Sequence, residues 1–197
     1  MGAGADAANG RSVMSRGVSQ ICYATRDAEA TARVLAATDG VGPFYVAEFE
    51  HRDITFRGRS IGNLSIKVAF GYRNNLQYEL IEPLQGDGAF FEELLNGRRE
   101  AFHHTYQSTS ENYDAVIARY AANGESVAYC GVAGENVRFA FIDATARLGH
   151  FIELLETARV QDEGSAAILR AYDRMREAAQ GWDGDRPIRP LAELFDG

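Results

Sequence analysis

The chain has little of what marks a specialised class. Only two cysteines occur in 197 residues, Cys22 and Cys130. They lack metal-knuckle spacing and read as small core hydrophobes, so neither a disulfide scaffold nor a cysteine-built zinc site organises the chain, and a cytoplasmic location is expected. Basic residues are in short supply: 20 Lys and Arg stand against 28 Asp and Glu, for a net charge of −8. That balance argues against nucleic acid and against an anionic membrane as partner, because both reward a basic patch. No apolar run reaches the roughly 20 residues of a membrane-spanning helix. Residues 1–15 are rich in Gly and Ala without the apolar centre of a secretory signal, and read as a flexible leader.

What is present is an ordinary globular balance, 46% hydrophobic and 24% charged. Within it one stretch stands out, Gly149-His150-Phe151-Ile152-Glu153-Leu154-Leu155-Glu156. It has the character of a strand, yet Glu153 interrupts its apolar run. An earlier stretch repeats it: Leu76-Gln77-Tyr78-Glu79-Leu80-Ile81-Glu82, stopped by Pro83. A carboxylate inside a core strand must be paired, neutralised or bound to a cation, since an isolated buried charge is very costly. Two of them in matching local sequence point to a duplicated module.

The order of elements supports the duplication. Residues 18–24 read as a strand, and Asp27 opens a helix over 28–37 with Ala30, Val34 and Ala37 inward and Gly40 past its end. Strands follow at 44–49 and 61–72, the latter with Leu64, Ile66, Val68 and Phe70 alternating, and Asn74-Asn75 turns the chain into the first Glu strand. A connecting helix over 85–96 presents Phe90, Phe91 and Leu94. The order then recurs: a strand at 102–107, a capping box from Ser108 to Glu111, a helix over 112–122 with Val116, Ile117 and Tyr120 inward, strands at 127–130 and 137–142, and the second Glu strand. The expected fold is α+β, two pseudo-symmetric βαβββ modules (about 16–84 and 100–157) whose mixed sheet curls around a metal-binding cavity. The domain spans 16–157, and 158–197 form a C-terminal helix and tail. That helix, over 165–180, carries Ile168, Leu169, Tyr172 and Met175 on one stripe. It reads first as a packing appendage, with a lid or a dimer arm as alternatives, and its lack of an obvious place in either module suggests a homodimer.

Each half opens with a strand bearing a metal-competent side chain, Gln20 or His104, and closes with one bearing Glu79 or Glu153. Side chains alternate faces along a strand, so pseudo-symmetric pairing of the halves brings two carboxylates, an amide oxygen and an imidazole to one cavity. That set suits a divalent ion with positions open to substrate or water. His104 is preferred to His103 because its register relative to the following helix matches that of Gln20. His51 reads as a surface strand histidine, His150 points away from the site, and Tyr23, Tyr45 and Phe70 read as core.

From Arg16 to Thr157 the chain resembles the vicinal oxygen chelate superfamily, in the glyoxalase-like branch near glyoxalase I and methylmalonyl-CoA epimerase. The resemblance rests on Gln20-Ile21-Cys22-Tyr23 with Asp27, Gly40-Val41-Gly42-Pro43-Phe44, Glu79-Leu80-Ile81-Glu82-Pro83, His103-His104, and the stretch from Gly149 to Glu156. It implies Gln20, Glu79, His104 and Glu153 as ligands of a divalent metal ion (zinc, cobalt, nickel, manganese or magnesium). Many relatives have His where this chain has Gln20, and some glyoxalases have Gln. The implied activity is that of a metal-dependent isomerase, epimerase or lyase acting on a small acyl or thioester-type substrate. Glu153 is the expected base, with Glu79 or Glu48 as the second acid–base group. Arg57, Arg59, Arg98 and Arg99 are available to a thioester carrier. A non-catalytic sequestering protein is the alternative; an extradiol-type dioxygenase ranks last, because Gln20 occupies a histidine position.

Overall fold

A computed structural model describes residues 18–107, 112–134, 136–156 and 163–195. The first half contains β1 (Val18–Thr25), α1 (Ala28–Asp39), β2 (Phe44–Phe56), β3 (Arg59–Arg73) and β4 (Leu76–Gly86). A short helix α2 (Ala89–Leu95) leads to the second half: β5 (Glu100–Gln107), α3 (Tyr113–Ala122), β6 (Val127–Ala133), β7 (Val137–Asp143), α4 (Thr145–Leu148) and β8 (Phe151–Leu155). Helix α5 (Glu163–Ala179), strand β9 (Ile188–Pro190) and a 3-10 turn at Leu191–Leu194 follow.

The strands run β3-β4-β1-β5-β8-β7-β6-β2-β9, and β2 also pairs with β3, so the first eight close into a barrel. Both halves use one plan: β1 and β4 are parallel, as are β5 and β8, while the remaining pairs within each half are antiparallel. The halves meet antiparallel at two seams, β1 with β5 and β2 with β6. The expected α+β architecture of two curled βαβββ modules is therefore the observed one. The β2–β6 seam needs a close approach: a Cβ on Gly131 would lie 2.7 Å from the Arg52 carbonyl oxygen. A bulge at Asp53, with φ of 53°, turns β2 so that its start pairs with β9 and its end with β6.

Three apolar clusters follow from this closure. One fills the barrel, where Phe90 of α2 stacks on Tyr129 and Phe141 with centroids 4.8 and 5.9 Å apart. The others lie outside it, under α1 around Phe44 and Leu80, and under α3 around Ile142 and Leu154.

Three expectations need correction, and a fourth falls outside the described residues. Helix α1 buries Ala28, Thr31 and Ala32, leaving Val34 59% exposed. Thr31 bonds to Thr25 and Glu100, and the Ala28 N–H donates to Glu82, so polar anchors orient a helix whose alanines offer two near-equal stripes. Strand β4 runs through Pro83, because β1 ends opposite Ile81 and nothing on that side needs the missing N–H. The Ser108–Glu111 capping box lies outside the described residues; Asn112 caps α3 through Asp114 and Ala115. On α5, Tyr172 and Met175 turn inward beside Ala171 while Leu169 is exposed. The helix packs on its own barrel, Phe70 meeting Tyr172 with centroids 5.8 Å apart, so its apolar face no longer speaks for a dimer.

Candidate metal centre

Strand register makes the site. Gln20 lies opposite Gln77, two residues before Glu79, and His104 lies opposite Phe151, two residues before Glu153. The antiparallel β1–β5 seam sets Cys22 beside His104, bringing both opening strands to one level of the barrel. Gln20, Glu79, His104 and Glu153 are 3%, 7%, 0% and 8% exposed, which removes a solvent-facing role for either carboxylate.

Three of them bring an oxygen to one nitrogen of the fourth. His104 Nε2 stands 3.2 Å from Glu79 Oε2, 3.2 Å from Glu153 Oε2 and 3.3 Å from Gln20 Oε1. The Gln20 Nε2 donates to Gln77 Oε1 at 2.7 Å, which turns the Gln20 carbonyl oxygen toward the cluster. His104 Nδ1 lies 2.7 Å from His103 Nδ1. His103 is the extra residue where the β1–β5 register shifts, and that bulge directs it inward with its neighbour.

Burial pulls the His104 pKa down, but Glu153 and Glu79 outweigh it and hold it up at about 9. Burial pushes the Glu153 carboxyl up, against the pull of His104 and with the repulsion of Glu79. Burial, then Glu79 and Glu153, keep Cys22 a thiol. The cluster therefore holds a proton where a cation would serve.

A divalent ion fits the donor set. Donors about 2.1 Å from a common ion stand roughly 3.0–3.4 Å apart when adjacent in octahedral or tetrahedral arrangement, close to the 3.2–3.3 Å from His104 Nε2 to each of the three oxygens. Two carboxylates balance its charge, and the amide and imidazole are neutral donors. Glu79 Oε2 is buried and makes no hydrogen bond of good geometry beyond its 3.2 Å approach to His104 Nε2, and coordination would satisfy it. A second group, Cys22, His103 and His104, also brings its donor atoms within 4.8 Å of one another, but it shares His104 and has no carboxylate.

The carboxylates form one end of a cavity of about 270 Å³. Barrel residues such as Phe49, Val68, Phe70 and Phe139 line it, and α5 and the terminal turn close it with Tyr172, Met175 and Leu191.

Residues 19–141 match the Glyoxalase/Bleomycin resistance protein/Dioxygenase superfamily. The chain belongs to that superfamily. No curated protein matches it. Among solved structures, a hypothetical protein from Bacillus halodurans C-125 has a TM-score of 0.50 at 15% identity, covering 71% of this chain and 92% of the other. A Streptomyces coelicolor methylmalonyl-CoA epimerase variant, solved with 2-nitronate-propionyl-CoA, has a TM-score of 0.48 at 22% identity over 71% and 92% of the chains. The methylmalonyl-CoA epimerase of Mycobacterium tuberculosis has a TM-score of 0.46 at 18% identity over 71% and 86%. The first of these likenesses, at a TM-score of 0.50, describes the fold alone. Among the described residues, no helix is long and apolar enough to cross a membrane.

In this superfamily member the four expected ligands come together, and other expectations change. His51 is no surface histidine: it is buried, lines the cavity and lies 3.3 Å from the Tyr129 hydroxyl. Burial drops its pKa to about 4, so it is neutral. Glu48 alternates outward and is exposed, which removes it as the second acid–base group. Phe70 lines the cavity as well as the core. His150 points out of the barrel, toward Thr105 and the Leu148 carbonyl, as expected. The sequence reading gave Tyr172 no place beside the acids; burial first, then Glu79 and Glu153, raise its phenol, so it stays protonated at the cavity wall. Its stripe position on α5 was the only local signal.

Proposed function

We propose that the protein is a metal-dependent isomerase, epimerase or lyase that moves a proton next to the carbonyl of a small substrate. One observation carries this reading: a single imidazole nitrogen has three oxygens from both halves of the barrel within 3.3 Å, and two of the residues that supply them line a cavity. Gln20, Glu79, His104 and Glu153 would hold the ion, a divalent cation of the set zinc, cobalt, nickel, manganese and magnesium. When bound, it supplies Lewis acidity to a substrate oxygen.

The chain's own groups do the rest. Glu153, on β8 at the cavity end, takes the proton from the carbon beside the carbonyl and returns it. Glu79 faces the same space from β4 and is the second acid–base group when the proton must be delivered to the opposite face. Tyr172 keeps its proton and donates a hydrogen bond to the substrate. The apolar walls exclude water, which strengthens each of these interactions. Residues 16–157 are assigned as the glyoxalase-like domain, α5 and the terminal turn supply one wall of its cavity, and the protein acts in the cytoplasm.

The test is solvent exchange. Metal-loaded protein in D₂O should wash deuterium into the α-carbon of a small carbonyl substrate, screened by proton NMR over α-hydroxy ketones and acyl thioesters. Tight binding of such compounds without exchange would favour the second reading, a sequestering protein, which the largely apolar cavity also suits.

A further inference from the structure

The cavity says more about the substrate than the metal centre does. Its polar groups are few among the described lining residues. Glu79 and Glu153 occupy one end, and the walls are built from side chains such as Phe49, Ile66, Val137, Phe139, Leu155 and Met175. His51 and Tyr172 are the other polar side chains among its described lining residues, and both are neutral. No Lys or Arg is among those lining residues.

The four arginines that the sequence offers to a phosphorylated carrier are not among the described lining residues and make surface contacts of their own. Arg57 pairs with Glu93 at 2.5 Å, Arg59 with Asp87 at 3.5 Å and Arg99 with Glu100 at 3.8 Å. Arg98 donates to the Leu94 and Leu95 carbonyls at the end of α2.

The size of the cavity adds to this: at about 270 Å³ and partly open, it takes the compact reacting end of a ligand. Helix α5 and the terminal turn supply one wall, and Arg174 ties them together by donating to the Leu194 carbonyl and lying over the Phe195 ring. A ligand here needs an uncharged, compact apolar body. Its oxygens must sit at one end, because burying unpaired polar groups along the walls is costly.

We infer that the substrate is a small apolar carbonyl compound, an aryl or branched-alkyl α-hydroxy ketone or α-dicarbonyl, rather than an acyl group on a nucleotide thioester. Its oxygens face Glu79 and Glu153 and its apolar body lies between the barrel wall and α5. This rests on the proton-transfer reading only for which end carries the oxygens; the preference for an apolar, uncharged body rests on the cavity itself.

Calorimetry on the full manganese-loaded chain tests it with three probes. 2-Hydroxyacetophenone carries the apolar body and the vicinal oxygens, dihydroxyacetone carries the oxygens alone, and propionyl-CoA carries the nucleotide thioester. The aromatic ketone should bind at least about tenfold more tightly than dihydroxyacetone, the gain expected from burying part of a ring. Propionyl-CoA should bind no better than dihydroxyacetone. Ala171→Trp, which fills the cavity from α5, should weaken the aromatic ketone about tenfold while manganese affinity, a check on folding, stays unchanged. Equal binding of the two ketones, or tighter binding of propionyl-CoA, overturns the inference. Deuterium exchange is read separately: exchange on a thioester without the apolar preference leaves the proton-transfer reading standing and sinks this one. Preferential binding of the aromatic ketone without exchange does the reverse.

Discussion

The two halves of the barrel have one register and different chemistry. At corresponding positions the first half has Gln20, Gln77 and Glu79, and the second has His104, Phe151 and Glu153. Gln20 is oriented by a second amide, whereas His104 leans on a second imidazole and an aromatic wall, stacked 4.9 Å from Phe141. The same contrast separates the histidines. Burial alone makes His51 hard to protonate, while two carboxylates overcome burial at His104. Backbone symmetry thus decides where the donors stand, and their immediate neighbours decide what each can do. The first half supplies a neutral ligand and a carboxylate; the second supplies the imidazole and the proposed base.

The strongest test of that division exchanges the two acids in turn. Glu153→Gln should lower solvent-proton exchange by roughly 10²–10⁴-fold, the usual worth of a general base. Glu79→Gln should act mainly on metal affinity, measured by calorimetry. Equal loss of exchange from both would make the halves interchangeable. Gln20→His removes the asymmetry instead, giving each half an imidazole. It should raise zinc affinity by about tenfold, read by chelator competition, since imidazole is a better zinc ligand than an amide oxygen.

The neighbouring acids of the repeat should affect stability and leave exchange intact. Glu156 accepts two bonds of 2.7 Å from Arg138, whose guanidinium lies over the Tyr113 ring. Glu156→Gln should cost about 1–3 kcal/mol in urea unfolding. Glu82→Gln, at the Ala28 N–H, should cost less. If Glu156→Gln abolishes exchange, the assignment of faces in β8 is wrong.

The smallest effect concerns His51. Its folded pKa of about 4 lies below the ordinary 6.5, so the unfolded chain binds the extra proton. Its contribution is full above pH 6.5 and is lost as pH falls through about 4, up to roughly 3 kcal/mol. His51→Phe should flatten this acid limb of the stability curve. An unchanged limb would mean that His51 is protonated in the folded state.

These residues also show what the sequence makes legible. Glu79 and Glu153 stand out because a charge inside an apolar strand breaks a strong local pattern, and its recurrence relates the halves. Gln20 and His104 follow from element order, which counts positions without needing contacts. His51 did not follow, because its burial depends on the β2–β6 closure, a pairing with no local signal. His103 turned inward through a bulge that exists only against β1. In α1 the alanines weight two stripes alike, so Thr31 and Glu82 had to choose. Tyr172 was placed on the right stripe of α5, but only the docked helix sets it beside the acids.

The central claim is that both halves hold one ion between them. Anomalous diffraction from crystals of the manganese-loaded protein tests it directly. The account predicts one strong site per chain, with donor atoms of Gln20, Glu79, His104 and Glu153 all within about 2.0–2.3 Å. An ion held instead by Cys22, His103 and His104, or by the ligands of one half alone, would contradict it.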